Sequence, residues 1–139
     1  MQTIHLTVTT PQQIFYEGDV EIVTLKTAIG YIGLQANRTP MFSNIEVGHL
    51  VIGWEKDDSS IKCYIGGGLV YADAEKINII TDDIIDVKNI DLQRALKEKE
   101  ILSKEIEKAA HNQQVDRLKL ETKLKKALLR IETYNTYNK

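Results

Sequence analysis

The chain has 139 residues, of which 42% are hydrophobic and 27% are charged, a composition typical of a globular protein with one or two small domains. The formal net charge of −2 disfavours a general nucleic-acid binder, so no nucleic-acid partner is expected. The sequence has no long apolar run and starts MQTIHLTVTTPQQ, which predicts neither direct membrane insertion nor a signal peptide. Cys63 is the only cysteine, so no internal disulfide can form and a cytosolic location is expected.

Up to about residue 88 the apolar residues mostly alternate with polar ones, as they do in half-buried strands. Turn-forming residues separate the alternating runs. Seven or eight short strands at this spacing predict an antiparallel sandwich or barrel. The predicted strands are 4–8, 20–26, 31–34, 47–52, 61–65, 69–72 and 77–81, and the predicted turns are 17–19, 37–40, 56–60 and 73–76.

After Asn89 the apolar period becomes helical. Asp91 is a candidate N-cap, and the stripe that follows has a gap at Lys99. The stripe breaks at 111–114 and then resumes, which predicts two helices in an antiparallel hairpin. The stripes are Leu92, Ala95, Leu96, Leu102, Ile106 and Ala110, then Val115, Leu118, Leu120, Leu124, Ala127, Leu128 and Ile131.

The predicted fold class is therefore α+β, with an antiparallel β domain at 1–88 and a helical hairpin at 89–139. The charge divides near the same boundary. Residues 1–90 carry 6 basic against 12 acidic side chains, a net charge of −6, whereas residues 91–139 carry 12 against 8, a net charge of +4.

A row of basic side chains follows the second predicted helix. Its spacings of four, three and four place the row on one helical face, which we call the basic ridge. Two interpretations remain open: a solvated face that keeps the helix soluble, or a surface that meets an acidic partner. The basic ridge consists of Lys119, Lys123, Lys126 and Arg130.

Three consecutive glycines at 66–68 lie between two strand-like runs. A strand pattern follows them, without the GxxxxGK[ST] or GxGxxG spacing of a phosphate loop, so they predict a sheet corner or bulge. No catalytic set is predicted, because His5, His49 and His111 have no partners at a suitable spacing. The carboxylates between 82 and 86 lack the glycine of a calcium loop, so no metal site is predicted either.

Four segments, in this order, resemble the epsilon subunit of the F-type ATP synthase, which is called delta in mitochondria. They are GYIGLQANRTPMF at 30–42, VGHLVI at 47–52, IGGGLVYADAEKINIITDD at 65–83 and IDLQRA at 90–95. The resemblance covers nearly the whole chain, and it implies that the β domain is a sandwich with a corner at the glycines.

The resemblance also implies a non-catalytic rotor subunit in the central stalk, peripheral on the cytoplasmic face of the cell membrane. In the family the sandwich lies at the foot of the gamma subunit, touches the ring of membrane subunits and couples the two. The hairpin folds on the sandwich, or extends along gamma to the catalytic beta and alpha subunits and blocks ATP hydrolysis. The basic ridge would then meet an acidic loop of the catalytic subunits.

By the same resemblance Tyr31, Arg38, Pro40 and Met41 are expected at the contact with the ring or gamma. The family's Pro-x-His-x-Pro segment reads QANRTP at 35–40, and only its final proline is kept. Arg38 stands where the family has His, and Tyr31 stands where an acidic residue often faces the ring.

In some bacterial members the folded hairpin binds regulatory ATP. Carried over by position, the resemblance implies Asp91, Arg94, Lys126 and Arg130 as the ATP-binding set, and no other cofactor is expected. Lys126 stands where the family has Arg, and a lysine meets a phosphate as a point charge rather than as a planar fork. Asp91 is also explained as a helix N-cap.

Two other interpretations of the chain stay open. One is a rotor subunit of a paralogous F-type-like ATPase that lacks the usual membrane ring. The other is a free-standing adaptor whose hairpin recruits an unrelated partner.

Overall fold

The computed structural model describes residues 2–109 and 114–137 and divides into two compact units, Met1–Asp86 and Val87–Lys139. Within residues 2–86 the first unit contains eight strands. They are β1 Ile4–Thr9, β2 Ile14–Val20, β3 Val23–Thr27, β4 Gly30–Leu34, β5 Met41–Ile52, β6 Ile61–Ala72, β7 Lys76–Ile80 and β8 Ile84–Asp86. The second unit contains a 3₁₀ helix, Val87–Asn89, and the helices α1, Leu92–Ala109, and α2, Gln114–Tyr137.

The two longest strands, β5 and β6, run through both layers of the first unit. In one layer the order is β2-β1-β7-β6-β5, and in the other β6 continues with β8 while β5 continues with β3 and β4. All strand pairs are antiparallel except β1 with β7, which is parallel. The predicted antiparallel sandwich is confirmed, and the parallel pair of β1 with β7 is an addition that was not predicted.

In β6 the alternation of core-facing side chains shifts by one residue at the three glycines. Cys63 and Ile65 face the core before residues 66–68, and Val70 and Ala72 face it after them. The register between β5 and β6 stays constant throughout. The alternation of core-facing side chains therefore shifts in β5 at the same place as in β6. This change lets both strands leave one layer and enter the other, as corner strands do in packed sheets. A corner at the glycines is confirmed, whereas a bulge would have shifted the register.

The glycines at the corner are required by close approach and by backbone conformation. Gly67 has a φ of 100°, which disfavours any side chain. A Cβ on Gly68 would lie 2.5 Å from the carbonyl oxygen of Ile80, and one on Gly66 would collide with the Asp83 carboxylate. That carboxylate is held in place because the buried Tyr64 hydroxyl donates to it at 3.0 Å.

Several predicted strand boundaries are wrong. The predicted turn at 17–19 lies inside β2, where it pairs with His5, Leu6 and Thr7 of β1. The predicted strand 20–26 is divided between β2 and β3. The runs 47–52, 61–65 and 69–72 are parts of two strands of twelve residues each. The glycine and acidic residues at 17–19 and the glycines at 66–68 locally disfavour a strand, but pairing with neighbouring strands overrides this preference.

The two helices of the second unit form an antiparallel pair. Asp91 caps α1 as predicted, because the backbone N–H of Arg94 donates to its carboxylate at 3.1 Å. Arg130 in the second half of α2 contacts Glu98 in the first half of α1 at 3.1 Å, as expected for antiparallel helices. The predicted link residues 111–113, with His111, lie outside the described residues, as does Ala110. Among the described residues, neither helix combines the length and apolarity needed to span a bilayer.

The predicted apolar stripes are partly wrong. Leu118 is 66% exposed, and Leu96 and Leu128 are exposed as well. The more buried positions of α1 include Ala95, Glu98 and Leu102, and those of α2 include Ala127, Arg130 and Thr133. A stripe drawn only through apolar residues missed the charged side chains that lie on these faces.

The corner predicts a large effect of one added methyl group. Gly68→Ala should lower the free energy of unfolding by about 3 kcal/mol or more, because the new Cβ meets a backbone carbonyl that cannot rotate away. Gly18→Ala is the matched control, since its Cβ meets only the end of the Tyr16 ring. Urea unfolding at equilibrium measures both variants, and equal midpoints for the two would contradict the corner's role.

A second prediction concerns pH at the β1–β2 edge. Hydrogen bonds from the His5 ring to Asp19 at 3.0 Å and to Glu17 at 3.2 Å raise the pKa of His5, with Asp19 the larger cause. Because the folded pKa is raised, this stabilisation is full below about pH 6.5 and is lost as the pH rises through the folded pKa. The stability difference between the wild type and His5→Gln should therefore be larger at pH 5.5 than at pH 9. Asp19→Asn should reduce this dependence, and a difference that does not change with pH would contradict the prediction.

Candidate functional site

The side chain of Tyr31 on β4 extends past the neighbouring strand β3 and contacts β5. Its hydroxyl accepts a hydrogen bond from the backbone N–H of His49 at 3.1 Å, and the two rings lie 6.2 Å apart. Gly48 makes room for it, because a Cβ there would lie 2.8 Å from the hydroxyl. The Lys26 ammonium lies 5.9 Å from the centre of the Tyr31 ring. The aromatic side chain is thus held in one orientation while half of it stays exposed.

The turn between β3 and β4 presents an apolar tip that was not predicted from the sequence. Ile29 is 90% exposed at this tip. A hydrogen bond within the turn stabilises it, since the Thr27 hydroxyl donates to the Gly30 carbonyl at 3.1 Å. Gly30 has a φ of 115°, a conformation that glycine adopts readily. The only signal in the sequence is an isoleucine next to a glycine between two strand-like runs. We call Ile29 and Tyr31, with Lys26 beside them, the turn tip.

The structure does not bring the predicted partner-contact residues into one cluster. Tyr31 lies over β5 at positions 48 and 49, whereas Met41 begins that strand, about 20 Å away along it. Arg38 and Pro40 precede Met41 in the loop 35–40, where the Arg38 side chain donates to the carbonyl of Thr39 at 3.0 Å. The backbone N–H of Asn37 in this loop donates a hydrogen bond to the carbonyl of Ala74 at 2.9 Å, which anchors the loop. The four residues are close in sequence but not in the fold, because β4 and the start of β5 belong to different parts of the sandwich.

The basic ridge on α2 is exposed at one end and half-buried at the other. Lys119 and Lys123 are exposed, whereas Lys126 and Arg130 are half-buried. Arg130 contacts the Glu98 carboxylate of α1 at 3.1 Å. The four cations are therefore not equivalent, since one of them already has a carboxylate partner.

The predicted ATP-binding set is brought together only in part. Arg94 contacts Glu98 at 3.4 Å and Arg130 contacts the other oxygen of the same carboxylate at 3.1 Å. Asp91 caps the helix, and Lys126 lies one turn before Arg130 on α2. A phosphate group could bind between the two guanidinium groups only by displacing Glu98. Glu98 was not predicted as a site residue, although it lies next to the gap of the apolar stripe at Lys99.

Cys63 has the environment of a core residue. It is fully buried, and this burial raises the pKa of its thiol far above the usual range, with the nearby Asp86 a smaller cause. A neutral buried thiol is a poor nucleophile, so Cys63 serves packing rather than chemistry.

Comparison with known proteins gives concordant matches. The family model for the ATP synthase, Delta/Epsilon chain, beta-sandwich domain, matches residues 3–87. The ATP synthase epsilon chain of Mycoplasmopsis synoviae is 43% identical over 139 residues and 100% of both chains. That of Mycoplasmopsis pulmonis is 39% identical over 129 residues, 93% of this chain and 91% of the relative.

A solved structure shows the same fold. A chain in the cryo-EM structure of the Euglena gracilis mitochondrial ATP synthase (OSCP/F1/c-ring) matches with a TM-score of 0.76, covering 99% of this chain and 82% of that chain. Its sequence identity of 20% supports the fold alone. The family match spans the eight-stranded unit, and the bacterial relatives match across the helices as well. The chain therefore belongs to the ATP synthase delta/epsilon chain family, whose members are non-catalytic subunits.

Proposed function

We propose that the chain is a rotor subunit of the central stalk of an F-type ATP synthase, peripheral on the cytoplasmic face of the cell membrane. The full-length match to bacterial epsilon chains carries this proposal. The sandwich couples the gamma subunit to the ring of membrane subunits, and the helical unit regulates ATP hydrolysis by the catalytic subunits. The division into two compact units of opposite net charge supports two separate tasks.

The turn tip is suited to a contact that transmits torque. Ile29 is almost fully exposed, and Tyr31 is held rigidly by β5, so little conformational entropy is lost when a partner covers them. Exposed apolar and aromatic side chains of this kind are common anchors of protein interfaces. Because Arg38, Pro40 and Met41 lie elsewhere, we assign them to a second contact, so that one surface meets the ring and the other meets gamma.

The turn-tip assignment predicts a loss of coupling on charge insertion. Ile29→Asp should weaken binding to a purified gamma–ring complex about tenfold, because a carboxylate would be desolvated at the contact. ATP-driven proton pumping should fall while ATP hydrolysis continues. Ile14→Asp on β2 is the matched control, since Ile14 is 55% exposed and lies outside the turn tip. Equal pumping by the two variants would show that the turn tip makes no such contact.

The helical unit is suited to meet an acidic surface. Residues 91–139 carry a net charge of +4, and Lys119 and Lys123 of the basic ridge are exposed. Complementary charge speeds association and selects the partner, and its effect falls as salt screens it. We propose that the ridge meets acidic side chains of the catalytic beta and alpha subunits when the hairpin inhibits hydrolysis.

Charge reversal tests the ridge without disturbing the helix pair. Lys119→Glu with Lys123→Glu should relieve inhibition of ATP hydrolysis in the reconstituted enzyme several-fold, and the relief should shrink at high salt. Lys97→Glu with Lys108→Glu is the matched control, since these exposed lysines give the same charge change on α1. Circular dichroism checks that both variants keep their helices. If the ridge variant inhibits as strongly as the wild type, the ridge is only a solvated face.

A further inference from the structure

A small cleft lies in the first unit, where the junction of β2 and β3 meets the segment between β5 and β6. Its volume is about 260 Å³, below the roughly 300–1,000 Å³ of clefts that hold drug-sized ligands, so its size suits a single side chain. Its walls combine two aromatic rings with three carboxylates. They include Tyr16 and Trp54, and Asp19, Glu21 and Asp57.

Trp54 and Glu21 also line a second cleft, of about 270 Å³, which contains the polar side chains of Gln2 and Gln35. The two clefts are therefore neighbours. The indole N–H of Trp54 donates to the Glu21 carboxylate at 2.6 Å, and Trp54 is 43% exposed. The pair formed by Trp54 and Glu21 is thus accessible to a ligand from both clefts.

Backbone hydrogen bonds hold the first cleft in shape without a ligand. The N–H of Gly53 donates to the carbonyl of Ile22 at 2.9 Å, which joins the segment after β5 to the junction of β2 and β3. Within that segment the N–H of Asp57 donates to the carbonyl of Trp54, also at 2.9 Å. A site that is formed in advance loses little conformational entropy when a ligand binds.

Glu21 is the carboxylate of the first cleft that is most available to a cation. It accepts a hydrogen bond from a neutral indole, and within residues 2–109 and 114–137 it forms no ion pair. Among the same residues, the lining of the first cleft includes no lysine, arginine or histidine. A carboxylate next to an accessible indole attracts a cation twice, through its charge and through the face of the ring.

The other two carboxylates of the first cleft add negative potential but have partners of their own. Asp19 contacts the His5 ring at 3.0 Å. Hydrogen bonds from the backbone N–H and the hydroxyl of Ser59 lower the pKa of Asp57, and the nearby charge of Lys62 adds a smaller effect. Asp57 therefore stays ionised and helps to draw a cation toward the cleft.

We propose that Trp54 and Glu21 bind an arginine side chain in an extended segment of a partner protein. The planar guanidinium stacks on the indole and pairs with the carboxylate, a combination that suits arginine better than lysine. The second cleft takes a polar side chain of the same segment, next to Gln2 and Gln35. The net charge of −6 on residues 1–90 attracts a basic segment. Neither cleft is lined by a described residue that the proposed function assigns to the ring or to gamma.

Fluorescence of the full chain tests the arginine site, because Trp54 is the only tryptophan. N-acetyl-arginine amide should change the Trp54 emission along a saturating curve with a Kd of about 1 mM, as expected for a ligand of this size. N-acetyl-citrulline amide is the matched probe, since it has nearly the same shape without the charge, and it should bind at least about tenfold more weakly. No saturable change with the arginine probe, or equal binding of the two probes, would overturn the proposal.

A blocked Arg-Gln dipeptide tests whether the ligand is a protein segment. It should bind about three- to tenfold more tightly than N-acetyl-arginine amide, because its second side chain enters the cleft at Gln2 and Gln35. Equal affinity of the dipeptide and the single residue would overturn a protein segment as the ligand and favour a small free cation.

Glu21→Gln tests the assigned carboxylate. The substitution keeps the size of the side chain but removes its charge, so binding of N-acetyl-arginine amide should weaken about tenfold. Glu75→Gln is the matched control, because Glu75 is exposed between β6 and β7 and lines neither cleft. Circular dichroism checks that both variants keep the fold. Binding by Glu21→Gln as tight as that of the wild type would overturn the role of Glu21.

Discussion

The sandwich depends on the corner at residues 66–68, where β5 and β6 pass from one layer to the other. Both strands reverse which of their side chains face the core there, yet their register is unbroken. The close approach of the Ile80 carbonyl and of the Asp83 carboxylate leaves space for glycine alone. Because β3 and β4 attach to the second half of β5, the corner also determines where the turn tip is presented.

The helical unit follows a different design. The sandwich has a large apolar core. The helix pair, in contrast, buries few large side chains and includes the charged pair of Glu98 and Arg130. This pair is only partly buried, with 26% of the Arg130 side chain and 38% of the Glu98 side chain exposed, so its contribution to stability is small. The two units are therefore each held together by different contacts, an apolar core in the sandwich and a mixture of apolar, small and charged side chains between the helices.

The sequence predicted those features that depend on local periodicity. Alternation identified β1 and β7, and Asp91 identified the start of α1. Local periodicity did not predict β2, which is an edge strand with a single buried side chain, Val20, and a turn-like segment at 17–19. Pairing with β1 keeps this segment extended. The parallel pairing of β1 with β7 has no local signal at all. For the same reason Glu98 was missed, since its role is defined by a residue on the other helix.

The role in the central stalk is tested most directly by purifying the tagged protein from its own cells under mild conditions and identifying the proteins bound to it. We expect the alpha, beta and gamma subunits together with subunits of the membrane ring. Recovery of the catalytic subunits without a ring would contradict coupling to the ring and favour a paralogous ATPase. Recovery of no ATPase subunit would contradict the rotor role itself and favour a free-standing adaptor.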